Sequence, residues 1–147
     1  MKRITLACTL GIAALVCSNH FVNIAEAQIA RGININKVML GTEYVNGEAK
    51  GGYGGSIFRP QDHVIYCVVG LTNPAPDATF KFVWLAYDPA QKKSVQIFEQ
   101  ELTGQPSNRV AGKLSSPRDW PIGGYTVEIY IDGRLKKRLT YVVSKEE

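Results

Sequence analysis

An all-β fold, an antiparallel sandwich of about seven strands, is what this sequence predicts. Two observations carry that expectation. Past Ala27 the apolar residues recur mostly at every second position, the period of a half-buried strand. Turn signals then interrupt these runs every eight to twelve residues or so, which suits short strands in two packed sheets.

The first residues of the 147-residue chain are read separately. Lys2 and Arg3 give a positive start, Ile4 to Cys17 form a short apolar run, and Ala25-Glu26-Ala27 is a small-x-small exit. That order is the pattern of a secretory signal peptide over residues 1–27. The run is too short to span a bilayer comfortably, which takes roughly 20 apolar residues. Acylation of Cys17 is disfavoured, because Val16 stands where a small residue is needed. Cleavage after Ala27 leaves a single domain over residues 28–147, about 120 residues, enough to bury a core of its own. Residues 28–32 and 144–147 are expected to be loose ends. The expected location is secreted or periplasmic, with no stable membrane insertion after cleavage.

The formal net charge of +4 is modest. With no nucleic-acid motif and an exported chain, nucleic acid is not an expected partner. Of the three cysteines only Cys67 lies beyond the leader, so the domain cannot form an internal disulfide. Its surroundings, VIYCVVGL, point to a buried thiol acting as a small apolar group.

Each element follows from its own pattern. Ile33 to Thr42 begins with alternation and opens the domain as a strand. Asn46 to Ser56, rich in glycine, reads as a loop or irregular edge. Val64 to Leu71 is a strand with Ile65, Cys67, Val69 and Leu71 on one face. The prolines of TNPAPDA end it. Phe80 to Tyr87 follows, with Phe82, Trp84 and Ala86 on one face and Lys81 and Val83 on the other. DPAQKKS turns the chain into Val95 to Leu102, a more polar strand. Arg109 to Ser115 is a short strand with a bend at Gly112. Tyr125, Val127, Ile129 and Ile131 share one face of the next strand. Asp132-Gly133 is the strongest hairpin signal in the chain, since a type I′ turn needs positive φ at both centres. On the returning strand Leu135, Lys137, Leu139, Tyr141 and Val143 fall on one face.

Cys67 in IYCVV, Trp84 in FVWLAY and Tyr125 after DWPIGG together resemble the strand B Cys, strand C Trp and strand F Tyr of immunoglobulin-like folds. Val127 stands where antibody-type domains place their second Cys. The pattern is therefore similar to the looser immunoglobulin-like and fibronectin type III-like modules of bacterial secreted proteins. That resemblance implies a tyrosine corner, in which the Tyr125 hydroxyl bonds back to upstream backbone. It implies no activity. The residues before Tyr125 have matching structural roles. Asp119 is expected to bond nearby amides, Pro121 fixes φ, and Gly123 permits positive φ. Trp120 is left between the core and the surface.

No catalytic, cofactor or metal site is legible. His63 is the one imidazole beyond the leader, and no zinc spacing or calcium loop accompanies it. No Gly-x-Ser-x-Gly elbow is present. Glu99 and Glu101 share a strand face roughly 7 Å apart, but a polar strand commonly carries such a pair. GGYGGS lacks the Lys-Ser/Thr of a phosphate loop. The candidate contact residues are Tyr53, Trp120, Tyr130, Lys136 and Arg138. The basic pair also serves to blunt a sheet edge.

The leading expectation is a non-enzymatic module that binds another extracytoplasmic protein or takes part in envelope assembly. The alternatives are a carbohydrate-binding sandwich, with Tyr53, Trp120 or Tyr130 as stacking platforms, and a small hydrolase or protease inhibitor on the same fold. Coplanar exposed rings favour the sugar; an open strand edge favours the protein.

Overall fold

The computed structural model describes residues 32–145, and the expected leader and cleavage site lie outside them. Among the described residues every regular element is a strand. They are β1 (Ile35–Gly41), β2 (Glu43–Val45), β3 (Glu48–Lys50), β4 (Ile57–Phe58), β5 (Val64–Leu71), β6 (Phe80–Asp88), β7 (Lys93–Leu102), β8 (Arg109–Ser115), β9 (Gly123–Ile131) and β10 (Arg134–Val143). The long ones, β1 and β5 to β10, are the expected strands, with ends shifted by a few residues.

They form two sheets. One has the order β1-β5-β8 and the other β4-β10-β9-β6-β7; β2 and β3 make a separate hairpin. Neighbours are antiparallel except β4, which lies parallel to β10 at Val142 and Val143. In immunoglobulin letters the first sheet is A-B-E and the second is G-F-C-C′ with a short A′ beside G. The chain is an immunoglobulin-like β-sandwich.

The core lies between the sheets. Ile65, Cys67 and Val69 from β5 meet Phe80, Phe82 and Trp84 from β6 and Val127 and Ile129 from β9, all at 0 % exposure. Alternation delivers them there, because every second side chain of a strand faces inward. Burying each large side chain contributes about 1.5–3 kcal/mol. Gly112 has a packing reason: a Cβ at that position would sit 2.5 Å from the Phe82 ring. Its missing side chain lets that ring fill the space between the sheets.

Four local features differ from the sequence expectation. The stretch expected as a loop over Asn46 to Ser56 is partly ordered. Asn46 (φ 52°) and Gly47 (φ 80°) turn the β2–β3 hairpin, with Val45 opposite Glu48. This is the same turn chemistry as Asp132 (φ 49°) and Gly133 (φ 79°) between β9 and β10. The hairpin also explains a second difference. Val68 points away from the core face of β5 yet is fully buried. Tyr44 lies against Tyr66, with ring centroids 6.0 Å apart, and Gly47 lies over the Arg109 side chain. Arg109 pairs with Gly70, so the hairpin covers the strip of sheet that holds Val68.

Third, β4 forms where no strand was expected. It is short, but the chain bonds to β10 there through Val142 N–H to the Ser56 carbonyl, 2.9 Å, and Ser144 N–H to the Phe58 carbonyl, 3.0 Å. Fourth, Leu135 is on the opposite face from the expected one. Leu135 pairs with Tyr130 and Lys137 with Ile129, so Lys136 is the extra residue of a bulge. A bulge shifts the facing of everything before it by one position. Leu135 is consequently exposed, while Leu139, Tyr141 and Val143 keep their inward direction.

Candidate functional site: the corner, the polar face and the open edges

The corner before β9 is a packed structure. The Tyr125 hydroxyl donates to the Pro121 carbonyl at 2.7 Å. Its ring stacks on Tyr141, with centroids 5.3 Å apart and planes 15° from parallel. Burial pushes both phenols above their ordinary pKa. Gly123 takes a φ of 150°, which glycine permits. Trp120, carried as a candidate contact, is placed in the core at 8 % exposure. Its indole N–H donates to the Asp62 carbonyl at 2.6 Å, its backbone N–H to the Pro60 carbonyl at 2.8 Å, and its ring meets Tyr125 edge-on. The indole N–H thus keeps a polar partner although the ring is buried. Asp119 binds a side chain instead of the expected amides: its Oδ1 lies 2.8 Å from His63 Nε2. That pair ties the corner to the segment before β5.

The other candidate contacts fall in two places. Tyr130 and Arg138 meet on the outer face of the five-stranded sheet, joined by Glu128. The Tyr130 hydroxyl donates to Glu128 Oε2 at 2.7 Å, and Arg138 donates to Oε1 from Nε at 3.0 Å and from Nη2 at 2.6 Å. The hydrogen bond from Tyr130, with those from Arg138, holds the Glu128 carboxyl below its ordinary pKa, against a smaller opposing effect of burial. The same bond pushes the Tyr130 phenol up. Lys81 lies over the Tyr130 ring, 4.9 Å from its centroid. Lys136 is on the bulge of β10. Tyr53 is distant along the sheet, exposed, bridged to Ile57 and under the Arg59 guanidinium. These residues do not converge on one pocket.

Cys67 is fully buried, and burial pushes its thiol pKa far up, so it is held protonated and unreactive. Glu99 and Glu101 are exposed on β7, with Glu99 Oε2 accepting from Gln96 Nε2 at 3.3 Å. Among the described residues no group of three or more His, Cys, Asp or Glu is placed to hold a metal ion.

The feature that sequence reasoning passed over is β7. Among the described residues it pairs with β6 along one side only and forms the edge of its sheet. A bulge falls opposite Trp84 and Leu85, with Ile97 as the extra residue. Val95, Ile97 and Phe98 are all exposed. The Gln100 side chain reaches across to β8 of the other sheet and accepts the Lys113 N–H at 2.8 Å. The signal was present in VQIFEQEL, but its polar residues suggested a solvated face and concealed the edge.

No protein-family model matches the chain, and no curated protein matches it. Among solved structures, it is similar to an immunoglobulin-like protein from Pseudomonas aeruginosa, at 13% identity and a TM-score of 0.49, over 77% of this chain and 97% of that one. It is also similar to part of the alkylpurine DNA glycosylase AlkC of Pseudomonas fluorescens, solved bound to DNA containing an abasic site analogue. There the identity is 11% and the TM-score 0.46, over 82% of this chain but 34% of that one. The fold assignment rests on the strand order described above and not on these likenesses.

Proposed function

We propose that this chain is a non-enzymatic immunoglobulin-like module, exported to the periplasm or the cell exterior, which binds another extracytoplasmic protein through the open edge of β7. The observation that carries this reading is the edge itself: a strand from Lys93 to Leu102 with one unpaired side and exposed Val95, Ile97 and Phe98. An unpaired edge offers backbone donors and acceptors in a row, and alternate side chains add selectivity. The rings expected to form a sugar platform favour the protein reading over carbohydrate. Trp120 is buried, and the Tyr130 hydroxyl is engaged by Glu128, which leaves Tyr53 as the exposed ring of the three.

Affinity capture from the extracytoplasmic fraction of the source cell tests this. The protein should retain a discrete partner that is lost with Ile97→Asp and Phe98→Asp, both of which keep the native melting temperature. Identical capture by the native and β7-substituted proteins would contradict the assignment.

A further inference from the structure

A second open edge lies on the opposite flank. One side of β10 pairs with β9 throughout, whereas β4 covers the other side only at Val142 and Val143. From Arg134 to Tyr141 no strand of the described residues occupies it. Among the described residues the facing strand of the other sheet, β1, pairs only with β5. Between β1 and β10 runs a trough. One hollow of about 490 Å³ lies among Ile33, Ile35, Val38, Lys136, Lys137 and Leu139. A second, of about 380 Å³, continues from Val38 and Leu139 to Lys50 and Gly55. The trough therefore leads toward β4, which begins at Ile57.

Its chemistry is selective. Ile33, Ile35, Val38 and Leu139 are half-buried and pack on the core, giving an apolar floor. Lys50, Lys136 and Lys137 stand at the margins, and none of them has a carboxylate partner among the described residues. Lys37 is the one lining cation already paired, with Glu48 at 3.8 Å. Among the described residues no acidic side chain lines either hollow. Beyond the Lys136 bulge, the β10 edge from Lys137 to Tyr141 is in line with β4, which already shows that this edge accepts a parallel strand.

We propose that this trough receives an extended acidic segment of a partner polypeptide, added as a strand on β10 in line with β4. Apolar residues on the inward face of the segment enter the floor, and carboxylates on its outward face and at its ends meet Lys136, Lys137 and Lys50. Alternation is required because successive side chains of a strand face opposite ways. Unpaired cations over a low-dielectric floor favour opposite charge and speed its approach. This surface is separate from β7, so the two assignments stand or fall independently.

The test uses a synthetic nine-residue peptide of alternating isoleucine and glutamate, with a lysine-for-glutamate version as control. Amide hydrogen exchange and chemical shifts of the protein are followed on titration. The acidic peptide should bind, slow exchange at amides between Lys137 and Tyr141, and leave β7 unchanged. The double substitution Lys136→Glu, Lys137→Glu should weaken it at least tenfold without lowering the melting temperature, and the basic peptide should then bind better than the acidic one. Several outcomes overturn the proposal. They are no saturable binding of the acidic peptide, protection confined to β7, or equal binding by the native and charge-reversed proteins. So is a dimer that dissociates on the same substitutions, since a second copy would then be the occupant. Adsorption to anionic vesicles without peptide binding would assign the lysines to a lipid surface and likewise sink it.

Discussion

The Tyr125 hydroxyl reaches back four residues and donates a 2.7 Å hydrogen bond to the carbonyl of Pro121. The bond fixes the chain where it crosses from the β8 sheet into β9. It also gives the buried phenol the polar partner that it needs.

Tyr125→Phe removes that donor and leaves the ring in place. The expected loss is about 1–3 kcal/mol, the cost of leaving a carbonyl short of its partner. Urea unfolding monitored by fluorescence measures it. A thermodynamically silent substitution would remove the corner's role in stability.

Trp120→Ala deletes a core ring and the donor to the Asp62 carbonyl together. A loss of about 3–5 kcal/mol is expected. A melting temperature within a degree of the native value would instead place Trp120 at the surface.

Cys67 should resist alkylation in the folded protein and react on denaturation, because its thiol is buried and held protonated. Cys67→Val should cost less than about 1.5 kcal/mol, as the volume and apolar character are nearly kept. Mass spectrometry after a timed iodoacetamide pulse reads the first expectation, and chemical unfolding the second.

Glu128 gives a pH dependence whose sign follows from its lowered pKa. A carboxyl depressed in the folded state contributes stability above its unfolded pKa, about 4.3, and loses it as pH falls through the folded value. The difference in unfolding free energy between the native protein and Glu128→Gln should therefore be constant from neutrality to about pH 5 and shrink below it. A difference that grows on acidification would contradict the Tyr130–Glu128–Arg138 arrangement.

Export makes its own prediction at the Ala25-Glu26-Ala27 exit. N-terminal sequencing or intact mass of the exported protein should begin at Gln28, or at the pyroglutamate formed from it. Retention of residues 1–27 in the mature protein would exclude cleavage there.

The sandwich was legible because its signals are local and strong. Ile65, Cys67 and Val69 alternate as a buried strand must, and Asp132-Gly133 names its own turn. Asn46-Gly47 carries the same turn signal, but Glu43 to Val45 and Glu48 to Lys50 lack apolar alternation, and the glycines after them suggested a loop. The facing of Leu135 depended on a bulge at Lys136, which no periodicity reveals. Trp120 could not be placed from its neighbours, since its burial depends on Pro60 and Asp62, far away in sequence. The open edges of β7 and β10 are properties of strand order, and strand order is a long-range outcome of folding.

The β2–β3 hairpin over Val68 gives the sandwich a front and a back. The three-stranded side wears part of its own chain as upholstery, and among the described residues nothing covers the five-stranded side. A neighbouring domain or cell-surface layer lying flat against the molecule would meet different chemistry according to which side it approached. Contacts along β7 and β10 leave both flat sides free. Partners held at the two edges would sit beside the molecule, and its upholstered and uncovered sides would still differ in what they offer to whatever lies above and below.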